Sequence, residues 1–288
     1  NLENPTQEEI EKHELTHANY KGWCKFCRMG LARREAHRRK DRGPNRKYKN
    51  RAHGEIDVPD TEEPVNGVTK YSMDYAIVKG EDQDTNNTIL VMVNHEDGGV
   101  ITYSVTGKGI LGERSWIAKR IAKDIDNCGT KEAKVQEKSD QEPAIVALQE
   151  EVREIRRGKT YCVNSPVAES ECNGRAENAI LRMEVKIRSL RAALEDKLKR
   201  KIDMHSDFAT WLIRWVGEIL TKYTVGQDGK TPWERCRGEK CRNKFANISE
   251  KVLYLTLKTA STHQNILEPR MFEGVWLGIN ARTDETFI

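Results

Sequence analysis

The stretch that decides the fold is NGRAENAILRMEVKIRSLRAALEDKL, residues 173–198. Apolar residues recur in it every three or four positions, the spacing that keeps side chains on one face of an α-helix. These residues are Ile180, Met183, Ile187, Leu190, Leu194 and Leu198. The pattern predicts a long helix that buries this apolar stripe, whereas Arg175, Arg182 and Lys186 project from its outer face.

An acid stands in the first turn of this predicted helix. Glu177 precedes Ile180 by three residues, so it shares the inward face, where an unpaired charge is costly or becomes protonated. Two explanations are open at this point: the helix dipole favours an acid in the first turn, or the carboxylate belongs to a functional site. Two further acids elsewhere in the chain favour the second explanation.

The composition describes a polar chain that is long enough for a substantial core. Of its 288 residues, 37% are hydrophobic and 33% are charged, which allows one large domain with smaller appendages. The longest purely apolar run, residues 89–93, is too short to span a bilayer, so we expect no membrane partner. Seven cysteines without the even framework of a small secreted domain indicate reduced thiols inside the cell. The chain starts with Asn and no leader follows, so we interpret it as a piece of a polyprotein.

Positive charge is concentrated near the amino terminus. The net charge is +4, but residues 21–51 hold 13 Lys and Arg against Glu35 and Asp41, a local charge of +11. Such a block attracts phosphate backbones, and a solvated arm without a partner is the alternative. We assign residues 31–65 to a linker that is first basic and then acidic. Its predicted DNA-binding residues are Arg38, Arg39, Lys40, Arg46 and Lys47. On the outer face of the long helix, Arg175, Arg182 and Lys186 are also predicted to contact DNA phosphates, with a solvated helix face as the alternative.

A candidate zinc site precedes this linker. Thr6 and Glu9 form a capping-box pattern, which predicts a short helix through His17. Two His four positions apart and two Cys three positions apart then supply the ligands that tetrahedral Zn²⁺ prefers. The predicted ligands are His13, His17, Cys24 and Cys27. The link between the two pairs is shorter than in the common Cys₂His₂ pattern, so a helix-face His pair beside unrelated thiols is the alternative.

The core of the chain begins with three predicted strands. Residues 71–78 form the first strand, residues 88–93 a buried central strand, and residues 100–106 its hairpin partner, which together make an antiparallel unit. Asp74 stands inside the first strand although Asp is disfavoured there. Such exceptions to local rules mark candidate functional sites.

Helices and strands alternate after this unit. Residues 134–139 form a strand, Asp140 follows at its carboxyl end, and Pro143 suits the first turn of the next helix. The other predicted elements are a helix at about 113–126 with Trp116, Ile117 and Ile121 inward, a strand at 160–164, a helix around 208–219, a capping box at 231–234, and strands at 252–255 and 275–278 in a small β-rich tail.

Three acids on these elements make up the candidate active site: Asp74, Asp140 and Glu177. Acids that are held close together repel one another unless a cation neutralises them, and clustered oxygen ligands suit Mg²⁺ or Mn²⁺. Two such ions about 4 Å apart would activate an attacking oxygen and stabilise the leaving oxygen of a phosphodiester. The chemistry indicated is phosphoryl transfer. The residues alone leave other acids open, among them Asp124, Asp126, Glu169 and Glu171.

The order of the three acids resembles a known pattern. Between Asp140 and Glu177 lie 36 residues, and an Asn-Gly pair precedes the second acid by a few positions. This arrangement is similar to the D,D-35-E pattern of retroviral and retrotransposon integrases. The segment Gly-Lys-Thr-Pro-Trp-Glu at 229–234 resembles the block that follows the core in Copia-like polyproteins, and Val-Trp-Leu-Gly at 275–278 resembles the next block.

This resemblance, which covers about residues 66–288, implies an α/β fold of the RNase H-like type, a mixed five-stranded sheet flanked by helices. It also implies 3′-end processing and strand transfer on double-stranded DNA, at element ends and at a target. By this likeness Asp74, Asp140 and Glu177 would be the Mg²⁺ or Mn²⁺ ligands. We expect a homo-oligomer that acts in the nucleus after synthesis in the cytoplasm.

The expected domains are a zinc-binding module at 1–30, the linker at 31–65, the catalytic core at 66–225, and a post-core segment with the short β-rich tail at 226–288. Two other classes of protein stay open. One is a non-catalytic DNA-binding remnant of a decayed element, which uses only the basic linker and the zinc module. The other is a related DDE transposase or an RNase H-like nuclease.

Overall fold

The computed structural model describes residues 4–31, 67–79, 86–110, 116–164, 173–242, 246–255, 270–279 and 285–288. Its helices are α1 (Gln7–Glu14), α2 (Lys25–Leu31), α3 (Trp116–Ile125), α4 (Pro143–Ile155), α5 (Gly174–Leu198), α6 (Asp207–Lys222) and α7 (Pro232–Arg237). Its strands are β1 (Val68–Lys79), β2 (Asn86–Asn94), β3 (Val100–Val105), β4 (Lys134–Ser139), β5 (Thr160–Asn164), β6 (Lys251–Leu255), β7 (Met271–Val275), β8 (Gly278–Ile279) and β9 (Thr286–Phe287). Within these ranges, no helix combines the length and the apolar character that crossing a membrane requires.

Five strands form one mixed sheet in the order β3-β2-β1-β4-β5. Strand β2 runs antiparallel to both β1 and β3, whereas β4 pairs in parallel with β1 and with β5. Parallel pairs need crossover connections, and α3 and α4 lie in the connections that lead to β4 and β5. This α/β arrangement, a mixed five-stranded sheet flanked by helices, confirms the predicted RNase H-like fold class.

Helices cover both faces of the sheet, and the side chains of β2 alternate between them. Leu90 and Met92 pack with α3 and α4, whereas Ile89, Val91 and Val93 pack with α5 and α6. All five side chains are buried, and each contributes about 1.5–3 kcal/mol relative to an exposed position. The two faces of β2 therefore belong to two hydrophobic cores, as a fully apolar central strand predicts.

The parallel strands and the capping boxes agree with the sequence predictions. Strands β4 and β5 have the predicted bounds, and Pro143 is the first residue of α4. Thr6 with Glu9, and Thr231 with Glu234, form reciprocal capping boxes at the starts of α1 and α7. These features depend on residues a few positions apart, so local sequence is enough to predict them.

The structure corrects two helical side-chain placements. Trp116 is 58% exposed, because the buried stripe of α3 runs through Ile117 and Ile121, and Trp116 lies about 100° around the helix from Ile117. Leu198 is 48% exposed as the last residue of α5, one turn beyond the buried Leu194. In both cases the apolar residue lies at a helix end, where the face covered by the sheet stops.

The β-rich tail also differs from its prediction. Residues 275–278 do not form one strand, because β7 ends at Val275 and β8 starts at Gly278. Between them lies Trp276, which is 3% exposed and packs edge to face on Trp215 of α6 with ring centroids 4.9 Å apart. Burial of this large aromatic side chain holds the segment between β7 and β8 against α6.

Candidate active site

Asp74 and Asp140 occupy matching positions on neighbouring parallel strands. The last pair in the register of β1 and β4 is Ser72 with Lys138, and each acid stands two residues further along its own chain. Side chains alternate across a strand, and Ala76, two residues after Asp74, packs in the core on the α5 side of the sheet. Because β4 ends just before Asp140, the two acids lie at the end of the sheet where β4 stops, and Asp74 is on the face that α5 covers.

Helix α5 begins at the same end of the sheet and carries Glu177 in its first turn. The chain enters α5 through the buried Asn173, whose Nδ2 donates to the carbonyl oxygen of Met73 at 3.4 Å. This contact gives a physical reason for the Asn that precedes the acid in the integrase-like pattern. Glu177 is exposed, which corrects its predicted inward placement, because the buried positions of the first turns are Ala176 and Ala179.

The negative charges of the site converge on Asp74. Its pKa is raised to about 6, first because the carboxyl group is partly buried, and then because Asp140 and Glu177 carry negative charge nearby. The backbone N–H of Tyr75, which donates to Asp74 Oδ1 at 2.7 Å, and the charge of Lys108 lower the same pKa. The site therefore collects negative charge that a divalent cation would neutralise.

The donor set suits Mg²⁺ or Mn²⁺. Carboxylate oxygens are the ligands that these hard cations prefer, and the half-buried Asp74 and Asp140 beside the exposed Glu177 leave access for water and phosphate oxygens. Among the described residues, the three acids do not form a ligand group as tight as the His and Cys cluster near the amino terminus.

Two residues beside the acids escaped prediction from the sequence. Lys108 donates to both carboxylate oxygens of Glu142 at 2.8 and 2.7 Å, and its ammonium lies 5.5 Å from the ring centroid of Tyr75. Glu142 N donates to Asp140 Oδ1 at 3.2 Å, which links this ion pair to the site. Lys108 lies in a loop, where no periodic spacing predicts the contacts of a side chain. For Glu142, its position two residues after Asp140 was the one sequence feature that could have indicated a place near the site.

The four predicted zinc ligands form a buried cluster. Their ligand atoms all lie within 4.8 Å of one another. His13 Nε2 is 3.2 Å from Cys27 Sγ, and His17 Nδ1 is 3.4 Å from Cys24 Sγ. Ligand atoms at about 2.0–2.3 Å from a tetrahedral zinc ion lie about 3.3–3.8 Å from one another. The cluster therefore has both the chemistry and the spacing to hold Zn²⁺.

Backbone geometry explains how such a short link closes the cluster. His17 and Asn19 have left-handed φ angles of 47° and 49°, so the chain reverses within a few residues after α1. Helix α1 consequently ends at Glu14 and does not continue through His17 as predicted. Hydrogen bonding from Cys27 lowers the pKa of the Cys24 thiol, which favours the thiolate that a metal binds.

The zinc-binding module packs on α5, and this contact buries a residue that was predicted to be outside. Lys186 is 8% exposed, and its ammonium donates to the carbonyl oxygen of His17. Asn19 exchanges two hydrogen bonds of 2.9 Å with the backbone of Val225, just after α6. The predicted outward placement of Lys186 is therefore wrong, because the module covers that face of α5. Its contact with DNA stays a prediction.

The other two cations predicted on the outer face of α5 also lie against the protein, so that placement is wrong. Arg175 donates to the carbonyl oxygen of His95 at 2.9 Å. The pKa of Arg182 is lowered, chiefly by burial and then by the positive charge of Arg235. Their contact with DNA stays a prediction. The linker residues predicted to bind DNA, Arg38, Arg39, Lys40, Arg46 and Lys47, lie outside the described residues.

Comparison with known proteins found similar solved structures. No protein-family model and no curated protein matches the sequence. Three of the similar solved structures are the following. A chain of the simian T-cell lymphotropic virus intasome in complex with PP2A regulatory subunit B56 gamma has 13% identity and a TM-score of 0.44, over 72% of this chain and 67% of that one. The BIV integrase catalytic core domain has 16% identity and a TM-score of 0.37, over 58% and 93%. The HTLV-2 integrase catalytic core domain in complex with magnesium has 14% identity and a TM-score of 0.39, over 59% and 97%.

Proposed function

We propose that this chain is the integrase region of a retrotransposon polyprotein, a polynucleotidyl transferase that cuts and joins double-stranded DNA. One observation supports the proposal: Asp74 and Asp140 each stand two residues beyond the last pair in the register of β1 and β4. Asn173, at the start of the helix that carries Glu177, is hydrogen-bonded to the carbonyl oxygen of Met73 beside Asp74. The same acids have the order and the spacing of the integrase resemblance. Acids with this convergence suit metal-assisted phosphoryl transfer.

In the proposed mechanism, the protein contributes the positions and the negative charges of its acidic side chains. Asp74, Asp140 and Glu177 would hold two divalent cations, which activate the attacking oxygen and stabilise the leaving oxygen when bound. Asp74 must first lose its proton, since its pKa is raised to about 6. Water attacks the phosphodiester in 3′-end processing, and a DNA 3′-hydroxyl attacks in strand transfer, in line with the leaving oxygen and without a covalent enzyme intermediate.

The same proposal assigns roles to the other parts of the chain. His13, His17, Cys24 and Cys27 would hold Zn²⁺ and fix the module of residues 1–30 on α5. The basic linker would bind phosphates, the core of residues 66–225 would carry the chemistry, and the segment from 226 would complete the molecule. The protein would act as a homo-oligomer in the nucleus, after synthesis in the cytoplasm.

A strand-transfer assay tests the enzyme. The substrates are duplexes with the terminal sequences of the element, incubated with Mn²⁺ and either the wild type, Asp140→Asn or Glu150→Gln. Glu150 is an exposed acid on α4, so Glu150→Gln is the matched control. We expect the wild type and the control to join strands, and Asp140→Asn to lose at least about a thousandfold of the rate, because one metal ligand is missing.

The outcomes separate the three classes of protein. If no variant joins or nicks DNA while all of them bind it equally, the protein is a DNA-binding remnant and the enzyme assignment fails. If the wild type cuts an RNA–DNA hybrid and leaves DNA ends intact, it is an RNase H-like nuclease. Metal analysis checks the second site: we expect about one zinc per chain, lost in Cys24→Ser.

A further inference from the structure

A basic surface lies at the end of α5 that is distant from the acids, where α2 of the zinc-binding module packs beside it. The exposed cations of this surface, which we name the basic ledge, are Lys25, Lys199, Arg200 and Lys201. Two acids, Glu195 and Asp196, lie among them. The four cations and two acids give the ledge a net charge of +2.

The lysines of the ledge are available to a stronger anion. Their ion pairs are long: 3.9 Å from Lys25 to Asp196, 3.6 Å from Lys199 to Asp196, and 3.5 Å from Lys201 to Glu195. The three lysine side chains are 69%, 78% and 84% exposed. Exposed pairs of this kind contribute about 0–1 kcal/mol. A phosphate can therefore replace the carboxylates at little cost.

The ledge borders a groove of about 340 Å³ between α2 and the end of α5. Phe26 and Met29 line it from the module, and Ala192 lines it from the helix. Met29 is 53% exposed although it is apolar. Apolar walls beside a row of cations suit a nucleic-acid backbone, in which sugars alternate with phosphates.

The length of α5 sets the distance from the ledge to the acids. Glu177 and Lys199 are 22 positions apart, which corresponds to about 33 Å along a helix with a rise of about 1.5 Å per residue. One turn of B-form DNA is about 34 Å long. A duplex that follows α5 with one end at the acids would present the same side of its backbone at the ledge.

We propose that the basic ledge is a second phosphate-binding surface for duplex DNA, one helical turn from the catalytic acids. The one-turn distance between the ledge and the acids rests on the proposed function, whereas the binding of DNA to the ledge does not. In the sequence, the basic linker begins at the end of α2, so both basic regions adjoin the zinc-binding module. Contacts to phosphates hold and orient the duplex without reading its bases.

A binding experiment tests the surface without catalysis. In the full chain carrying Asp140→Asn, the ledge variant combines Lys199→Glu, Arg200→Glu and Lys201→Glu. The control combines Lys119→Glu, Lys131→Glu and Lys134→Glu, three exposed lysines on α3, between α3 and β4, and on β4. We expect the ledge variant to bind a 24-base-pair duplex at least about tenfold more weakly at about 100 mM salt, with a salt slope smaller by about 2–3. Unchanged zinc content and thermal unfolding verify the fold; if the Glu variant is unstable, the matching Gln variant replaces it.

Equal losses in the ledge and control variants, or an unchanged Kd for DNA, overturn the proposal. So does a ledge variant that loses binding to anionic phospholipid vesicles and keeps its affinity for DNA.

The spacing has its own test in the otherwise wild-type enzyme: the ledge substitutions should raise the KM for a 24-base-pair substrate about tenfold and leave the KM for an 8-base-pair substrate unchanged. An equal rise for both lengths overturns the spacing. If no variant joins DNA while the binding difference persists, the proposed function fails and the ledge stands.

Discussion

Glu137 is a single residue whose burial costs the fold part of its stability. It lies on β4 with a fully buried side chain, and neither carboxylate oxygen has a hydrogen-bond partner among the described residues. Burial raises its pKa to about 8, which the charge of Arg156 partly opposes. The carboxyl group is therefore mostly protonated at neutral pH in the folded protein, whereas it is ionised in the unfolded chain.

This shift predicts a pH-dependent stability. A carboxyl group whose pKa is raised on folding contributes its full stability below the unfolded pKa, near 4.5, and loses it as the pH rises through about 8. Glu137→Gln removes this dependence, so we expect the variant to be more stable at pH 8 by on the order of 3 kcal/mol. Urea unfolding from pH 5 to pH 9 measures the effect. Parallel stability curves for both proteins would show that the buried acid is ionised.

Asp74 gives a second prediction at the residue scale. A proton competes with a divalent cation for its carboxylate, and its pKa is raised to about 6. We expect the affinity for Mn²⁺ to be constant above about pH 7 and to fall as the pH decreases below 6, by up to about tenfold per unit. Calorimetric titration of the wild type and of Asp74→Asn checks this. The variant should bind more weakly, and a pH dependence that persists in it assigns the titration to another group.

At the scale of elements, the contact of α2 with α5 depends on one glycine. A Cβ on Gly30 would clash with Ser189 Oγ and lie 2.7 Å from the carbonyl oxygen of Val185. In addition, Arg188 Nε donates to the carbonyl oxygen of Gly30 at 2.9 Å. The two helices therefore approach as closely as their backbones permit, which a side chain at position 30 prevents.

Gly30→Ala should consequently destabilise the protein. Overpacking costs about 1–3 kcal/mol, which exceeds the roughly 1 kcal/mol that alanine gains over glycine in a helix. Thermal unfolding and zinc retention are the measurements. Gly22→Ala is the control, because no atom lies within 4 Å of its added Cβ. If both variants unfold at the same temperature, the helices have room to separate and the contact is loose.

Elements differ in how well the sequence predicts them. The apolar run of β2 and the two capping boxes depend on neighbouring residues, so their signals are local. The burial of Lys186 depends on His17, 169 positions earlier, and the apolar periodicity of α5 does not predict that contact. The three acids were found through their resemblance to an integrase pattern, since a chain with 45 acids offers too many choices on physical grounds alone. Lys108 and Glu142, which meet through a loop, had no such pattern.

At the scale of the whole molecule, the module of residues 1–30 packs into the same body as α5. Ala18 packs against the core that contains Met183 and Leu190 of α5, and Asn19 is hydrogen-bonded to Val225 beyond α6. Helix α5 runs without interruption from Glu177 to this contact. A change in the module can therefore reach the helix that carries Glu177, a proposed catalytic acid, because the two share one hydrophobic core.

Removal of zinc tests this connection. Without the metal, the cluster of thiolates and imidazoles loses what holds it together, and the carbonyl oxygen of His17 no longer has a fixed position. Lys186 then keeps a buried ammonium without its acceptor, which costs several kcal/mol or expels the side chain into solvent. We expect a strong zinc chelator to increase hydrogen exchange in residues 183–194 of α5, and to leave residues 145–152 of α4, on the other face of the sheet, unchanged.

Lys186→Met separates this effect from a general loss of structure. Methionine fills similar space without a charge, so the variant should lose less thermal stability on chelation than the wild type does. Added Zn²⁺ should restore the protection of α5 in both proteins. If exchange in α5 is the same with and without zinc, the module is a passive appendage. If instead the variant and the wild type lose equal stability, the apolar contacts between α2 and α5 transmit the change, and the buried ammonium has no part in it.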